Sequence, residues 1–165
     1  MSSPNAIHER LVNLFSGKGA RFRVVSHEPE GRTDVISRLR GNQPSQAAKA
    51  MVLKIKRSKA DQRYVLAVVP GDRKVDMKAV KAVCGGDASF AAPDVAAELT
   101  GCAMGAVPPV SFHPDLKVVM DVKFLNESDI VFNAGLLDKS IFIDRADFLG
   151  LTQPEMASIS LRIDP

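Results

Sequence analysis

With 165 residues and 45% hydrophobic side chains, the chain is long enough for one ordinary core and short for two, so a single domain spanning residues 1–165 is expected. No apolar run approaches the roughly 18 residues of a membrane span and the N-terminus lacks a secretory apolar stretch, which predicts a cytoplasmic protein without a membrane partner. A net charge of +3 leaves polyanion binding open, while the lack of Trp and the single Tyr disfavour a base-stacking platform.

Pro4 to Ser16 sets Ile7, Leu11, Leu14 and Phe15 on one helical face before Gly17 and Gly19 end the pattern. Arg21 to Ser26 reads as a strand, and His27-Glu28-Pro29-Glu30-Gly31 is turn chemistry. Thr33 is placed to cap a short helix with Val35, Ile36 and Leu39 inward and Gly41 as its stop. Lys49 to Lys56 and Arg63 to Val69 are β-branched and aliphatic runs joined as a hairpin, with a basic edge at Lys54, Lys56, Arg57 and Lys59.

Val75 to Cys84 reads as a helix with Val75, Val80 and Val83 apolar, stopped by Gly85 and Gly86. Ala88 to Phe90 is extended, and Pro93 opens a helix carrying Val95, Ala96 and Leu99 to a halt at Gly101. Gly105 to Pro109 is a rigid loop, followed by strands at Lys117–Met120, Asp129–Asn133 and Ser140–Ile143. Helices and strands alternate only partly and hairpins intervene, so the expected fold class is mixed α and β, a mixed sheet with helices packed around it.

Phosphate loops, nucleophile elbows, H-E-x-x-H pairs and dinucleotide fingerprints are absent. His8, His27 and His113 are dispersed, and Cys84 and Cys102, which have no C-x-x-C spacing, are assigned to packing. No metal or cofactor is called for. Three segments combine special backbone residues with polar groups beside apolar runs: Ala47 to Leu53, Gly105 to Pro109, and Val131 to Gly135. Lys49 is either a localised charge at a cleft wall or a snorkelling edge lysine. Gly105 permits close backbone approach or positive φ, while Pro108 and Pro109 stiffen a loop whose Gly105, Ala106 and Val107 amides are free to donate. That loop is either a donor cradle or a tight turn, and Asn133 with Gly135 is either a ligand wall or a turn.

In this order and at these separations, the segments resemble the YbaK/ProX family, aminoacyl-tRNA editing domains that stand alone or sit within bacterial prolyl-tRNA synthetases. The supporting residues are Lys49-Ala50-Met51-Val52-Leu53, the G-x-x-x-P loop Gly105 to Pro109, Asn133-Ala134-Gly135, and the His27-Glu28 turn. The resemblance implies a curved, largely antiparallel sheet surrounded by helices. It implies hydrolysis of the ester between a small amino acid, of the Ala, Cys or Ser class, and the terminal adenosine of tRNA, without a cofactor and with help from a ribose hydroxyl. Lys49 would hold the terminal phosphate or adenosine. Gly105 would act at the aminoacyl carbonyl, with Ala106, Val107, Pro108 and Pro109 supporting the acyl group and Asn133, Gly135 and His27 bordering the pocket. The implied partners are the tRNA acceptor end and an aminoacyl-tRNA synthetase. Leu136 and Leu137, and Pro108 where relatives often carry a small hydroxyl residue, predict a more apolar pocket. A non-catalytic tRNA- or nucleotide-binding relative is the alternative.

Overall fold

The computed structural model describes residues 5–163, so Pro4, read above as a helix start, lies outside it. The first half runs α1 (Ala6–Gly17), β1 (Phe22–Ser26), α2 (Thr33–Arg40), β2 (Ala48–Lys56), β3 (Gln62–Pro70), β4 (Arg73–Val75) and α3 (Met77–Cys84). Then follow β5 (Asp87–Phe90), α4 (Pro93–Thr100), β6 (Leu116–Asp121), β7 (Asp129–Leu136), β8 (Lys139–Asp144), α5 (Arg145–Thr152), β9 (Glu155–Ala157) and β10 (Ser160–Arg162). Mixed α and β, with mostly antiparallel pairing, is the architecture found.

The strands form three hydrogen-bonded sheets rather than one. A central sheet runs β5-β2-β3-β6-β9, a second β1-β8-β7, and a short ribbon pairs β10 with β4. The long hairpin is the spine: Ala48 pairs with Pro70 and Lys56 with Gln62, antiparallel throughout. Among the described strand pairs, β3-β6 and β6-β9 are parallel and the others antiparallel.

Period-two alternation explains why the central sheet sits between two cores. Ala48, Val52, Leu66 and Val68 face one cluster, where Phe132 and Ala134 of β7, Ile141 and Ile143 of β8, Leu11 and Phe15 of α1 and Phe148 of α5 meet them. Leu53, Ile55, Val65, Ala67 and Val69 face the other, closed by Val80 of α3 and by Ile159. In the first core the rings of Phe15, Phe132 and Phe148 lie 6.0–6.5 Å apart in tilted or edge-on pairs, each pair adding about 0.5–1.5 kcal/mol beyond simple burial.

Four local readings are corrected. Val75 belongs to β4, because Asp76 is the N-cap of α3, its carboxylate accepting from the amides of Lys78 and Ala79; Val83 is exposed. The N-cap of α2 is Arg32 and not Thr33, which is the first helical residue. Leu39 is 52% exposed, so α2 buries only Ile36 and Ser37. Of the cysteines, Cys102 is buried and Cys84 half-buried, both free thiols.

Candidate functional site

The central sheet and the β1-β8-β7 sheet touch through a parallel bridge between Ala47 and Val131. That bridge brings the start of β2 beside the first half of β7. Over this seam fold the turn after β1, helix α2 and the loop after α4, leaving a cleft of about 60 Å³. Its walls are Gly31, Thr33, Ile36 and Arg40 from the turn and α2, Ala47 just before β2 and Ala48 to Ala50 within it, Gly105 and Val107 from the loop, and Phe132 and Asn133 from β7. Lys49, Gly105, Val107 and Asn133 thus line the same cleft.

Asn133 joins these pieces. Its Nδ2 donates to the carbonyls of Glu30 and Gly105, both at 2.8 Å. Its Oδ1 accepts from Arg40 Nη1 at 3.3 Å and faces the Ser140 hydroxyl at 3.0 Å. At 7% exposure, the amide has both donors engaged by the protein. It acts on the cleft by fixing its two loops. The Ser140 hydroxyl donates to Asn133 Oδ1 at 3.0 Å, and His27 Nε2 lies 2.7 Å from the same hydroxyl oxygen.

The two loops meet glycine to glycine. Gly105 has φ +87°, and a Cβ built on it would stand 2.7 Å from the Gly31 Cα. Both reasons for a glycine, handedness and close approach, therefore apply at this one position. Glu30 stiffens the same turn: its carboxylate accepts from the amides of Gly31 and Arg32 and from the Arg32 guanidinium. The Arg32 side chain foremost, then its amide, hold the Glu30 pKa down at about 2.

The loop amides differ from expectation. The Ala106 N–H donates to the Ala103 carbonyl at 3.0 Å and is therefore occupied. Gly105 and Val107 amides find no backbone acceptor among the described residues. They remain the candidates for oxyanion contact.

Lys49 is half-buried and donates Nζ to the Arg73 carbonyl at 2.7 Å. One of three ammonium hydrogens is so committed. Burial lowers its pKa from the ordinary lysine value, while Asp72 pulls the other way. Arg73 is itself anchored, Nε to Ser160 Oγ at 2.6 Å, and Ser160 donates to the buried Asp121 at 2.9 Å. Asp121 is therefore a structural tie between β6 and β10, away from the cleft.

Ala106, Pro108, Pro109, Gly135 and His27 do not line the cleft. Pro108 and Pro109 are buried behind Val107. Gly135, φ +81°, backs onto α1, where an added Cβ would meet the His8 amide nitrogen at 3.0 Å, and its own N–H donates to the Ala106 carbonyl. It supports the loop from behind. His27 reaches the cleft only through Ser140. Leu136, Leu137 and Pro108 also stay off the walls, so the apolar shift expected from them is not found, and Arg40 and Thr33 make the cleft more polar.

Arg40, Thr33 and Gly31 were not legible as site residues. Arg40 looks in sequence like an ordinary basic last turn before a C-cap glycine.

A lysine-bearing strand, a glycine-hinged loop and a buried asparagine around a small cleft can now be compared with known proteins. The model of the aminoacyl-tRNA editing domain matches residues 27–151. The chain belongs to the aminoacyl-tRNA editing domain family. This editing domain is 44% identical over 160 residues to the Multifunctional Ser/Thr-tRNA deacylase ProXp-y of Escherichia coli K12, covering 96% of this chain and 95% of that one. It is 31% identical over 110 residues to a proline–tRNA ligase of Bacillus licheniformis, covering 64% of this chain and 18% of the ligase. A crystal structure described as a candidate trans-editing enzyme for prolyl tRNA synthetase superposes with TM-score 0.80 at 22% identity, covering 98% and 99% of the two chains, which shows the shared fold.

Proposed function

We propose that this editing domain acts in trans as a hydrolase of mischarged aminoacyl-tRNA carrying a small amino acid, with serine and threonine first among them. The observation that carries the reading is one small cleft, of about 60 Å³, lined by both Lys49 and the Gly105 loop. The E. coli relative's name supplies the Ser/Thr preference and family membership supplies the tRNA ester.

In the reaction, water attacks the ester carbonyl carbon, the bond to the ribose oxygen breaks, and that oxygen takes the proton. Free amino acid and intact tRNA leave. The ester is already activated, so orientation and stabilisation of the developing oxyanion supply most of the acceleration. A ribose hydroxyl of the substrate positions the water. Lys49 holds the terminal phosphate with its free ammonium hydrogens, and the Gly105 and Val107 amides face the carbonyl oxygen. Asn133, Gly135, Ala106, Pro108 and Pro109 hold that loop in place, and His27 steadies Ser140. A synthetase delivering the tRNA is the further partner.

The test is release of labelled amino acid from seryl-, threonyl-, alanyl- and cysteinyl-tRNA with protein in excess. Ester loss well above the spontaneous rate is expected. Tight tRNA binding with no release from any species would replace this reading with that of a binding module.

A further inference from the structure

The proposed reaction leaves one cation on the cleft wall without a role. Arg40 ends α2 and lies in the same cleft as Lys49. Its Nε donates to Asn42 Oδ1 at 3.0 Å, and its Nη1 donates to Ser140 Oγ at 3.1 Å and to Asn133 Oδ1 at 3.3 Å. Those bonds lock the guanidinium plane. Nη2 has no acceptor among the described residues, yet no buried side-chain nitrogen there lacks a partner, so Nη2 reaches open space. Arg40 is itself one of the residues lining the cleft.

No carboxylate pairs with Arg40 among the described residues. Burial alone draws its pKa down to about 10, which leaves it charged at neutral pH. The same cleft is lined by the apolar Ile36, Ala47, Ala48, Ala50 and Phe132 and, on the helix of Arg40, by Thr33. An acyl group entering this space shields Nη2 from solvent water. A hydroxyl oxygen then serves as its acceptor; a methyl group leaves a charged donor dry.

We propose that Arg40, through Nη2, reads the side-chain hydroxyl of the bound aminoacyl group and so selects serine and threonine esters over their alkyl isosteres. This rests on the deacylase reading above. It adds the residue that recognises the side chain, distinct from Lys49 and the Gly105 loop, which serve the phosphate and carbonyl common to every substrate. A site that hydrogen-bonds a hydroxyl discriminates far better against its absence than an apolar pocket discriminates by size.

The experiment compares kcat/KM for the isosteric pair threonyl- and valyl-tRNA, and for seryl- and alanyl-tRNA, with wild type, Arg40→Met and Arg40→Lys, each checked for folding by thermal melting. Wild type should prefer the hydroxyl member by roughly 100-fold, as a charge-assisted hydrogen bond provides. Arg40→Met should compress that ratio to about tenfold or less, and Arg40→Lys should restore part of it. A wild type without the preference overturns the inference and needs no variant to fold. So does an Arg40→Met or Arg40→Lys that slows every ester equally, which would mark Arg40 as a phosphate contact or a purely structural group. Absence of release from all four esters by wild type would overturn the deacylase reading itself, and this inference with it.

Discussion

Gly105 carries two separate constraints, a φ of +87° and a backbone neighbour 2.7 Å from where a Cβ would stand. Gly105→Ala must therefore push the loop off Gly31, and a displacement of about 1 Å at a reacting carbonyl lowers kcat/KM by on the order of 100-fold. Deacylation kinetics on a variant with wild-type circular dichroism would check it. Asn133→Ala removes the donors to Glu30 and Gly105 and an acceptor of Arg40, leaving buried groups unpaired. A loss of about 3 kcal/mol in denaturant unfolding is expected, together with slower turnover. At this scale the sequence was partly readable. Lys49 and Gly105 stand out because a cation entering an apolar run and a glycine before two prolines are locally unusual. Arg40 does not, because a basic residue near a helix C-terminus is ordinary and only the tertiary fold turns it inward.

Among the elements, the turn after β1 depends on charge. The Glu30 pKa lies at about 2 in the folded protein against an ordinary 4.5. A carboxylate with a depressed folded pKa contributes stability that is present above its unfolded pKa and lost as pH falls toward the folded value. Wild type should therefore lose thermal stability between about pH 5 and pH 2 more steeply than Glu30→Gln, and melting curves across that range would show the two converging at low pH. Element existence was legible because the hairpin β2-β3 and the amphipathic α1 have clear periods, two and 3.6. Boundaries were less so: Val75 fits the helical face of α3, but the Asp76 cap starts the helix after it. The free-donor reading of the 105–107 amides failed at Ala106 because a turn bond to Ala103 is invisible without the backbone path.

For the whole molecule, the division into three sheets is what makes the site. A continuous sheet would place β2 and β7 as simple neighbours; here a single bridge joins them, and the gap beside it is the cleft. The partial alternation of helices and strands along the chain pointed to the mixed class, whereas the association of the three segments came from their resemblance to one family. The split between sheets is not written in strand periodicity, which marks faces and not edges. The central claim is that Lys49, held in that gap by Arg73, serves hydrolysis of the tRNA ester. It is tested most directly by release of labelled serine and threonine from mischarged tRNA with wild type and a Lys49→Ala variant of matched melting temperature. A fall of roughly 100-fold or more in kcat/KM on losing that charge is predicted, by analogy with loss of one preorganised charge-stabilising group. Equal rates for the two proteins would contradict the account.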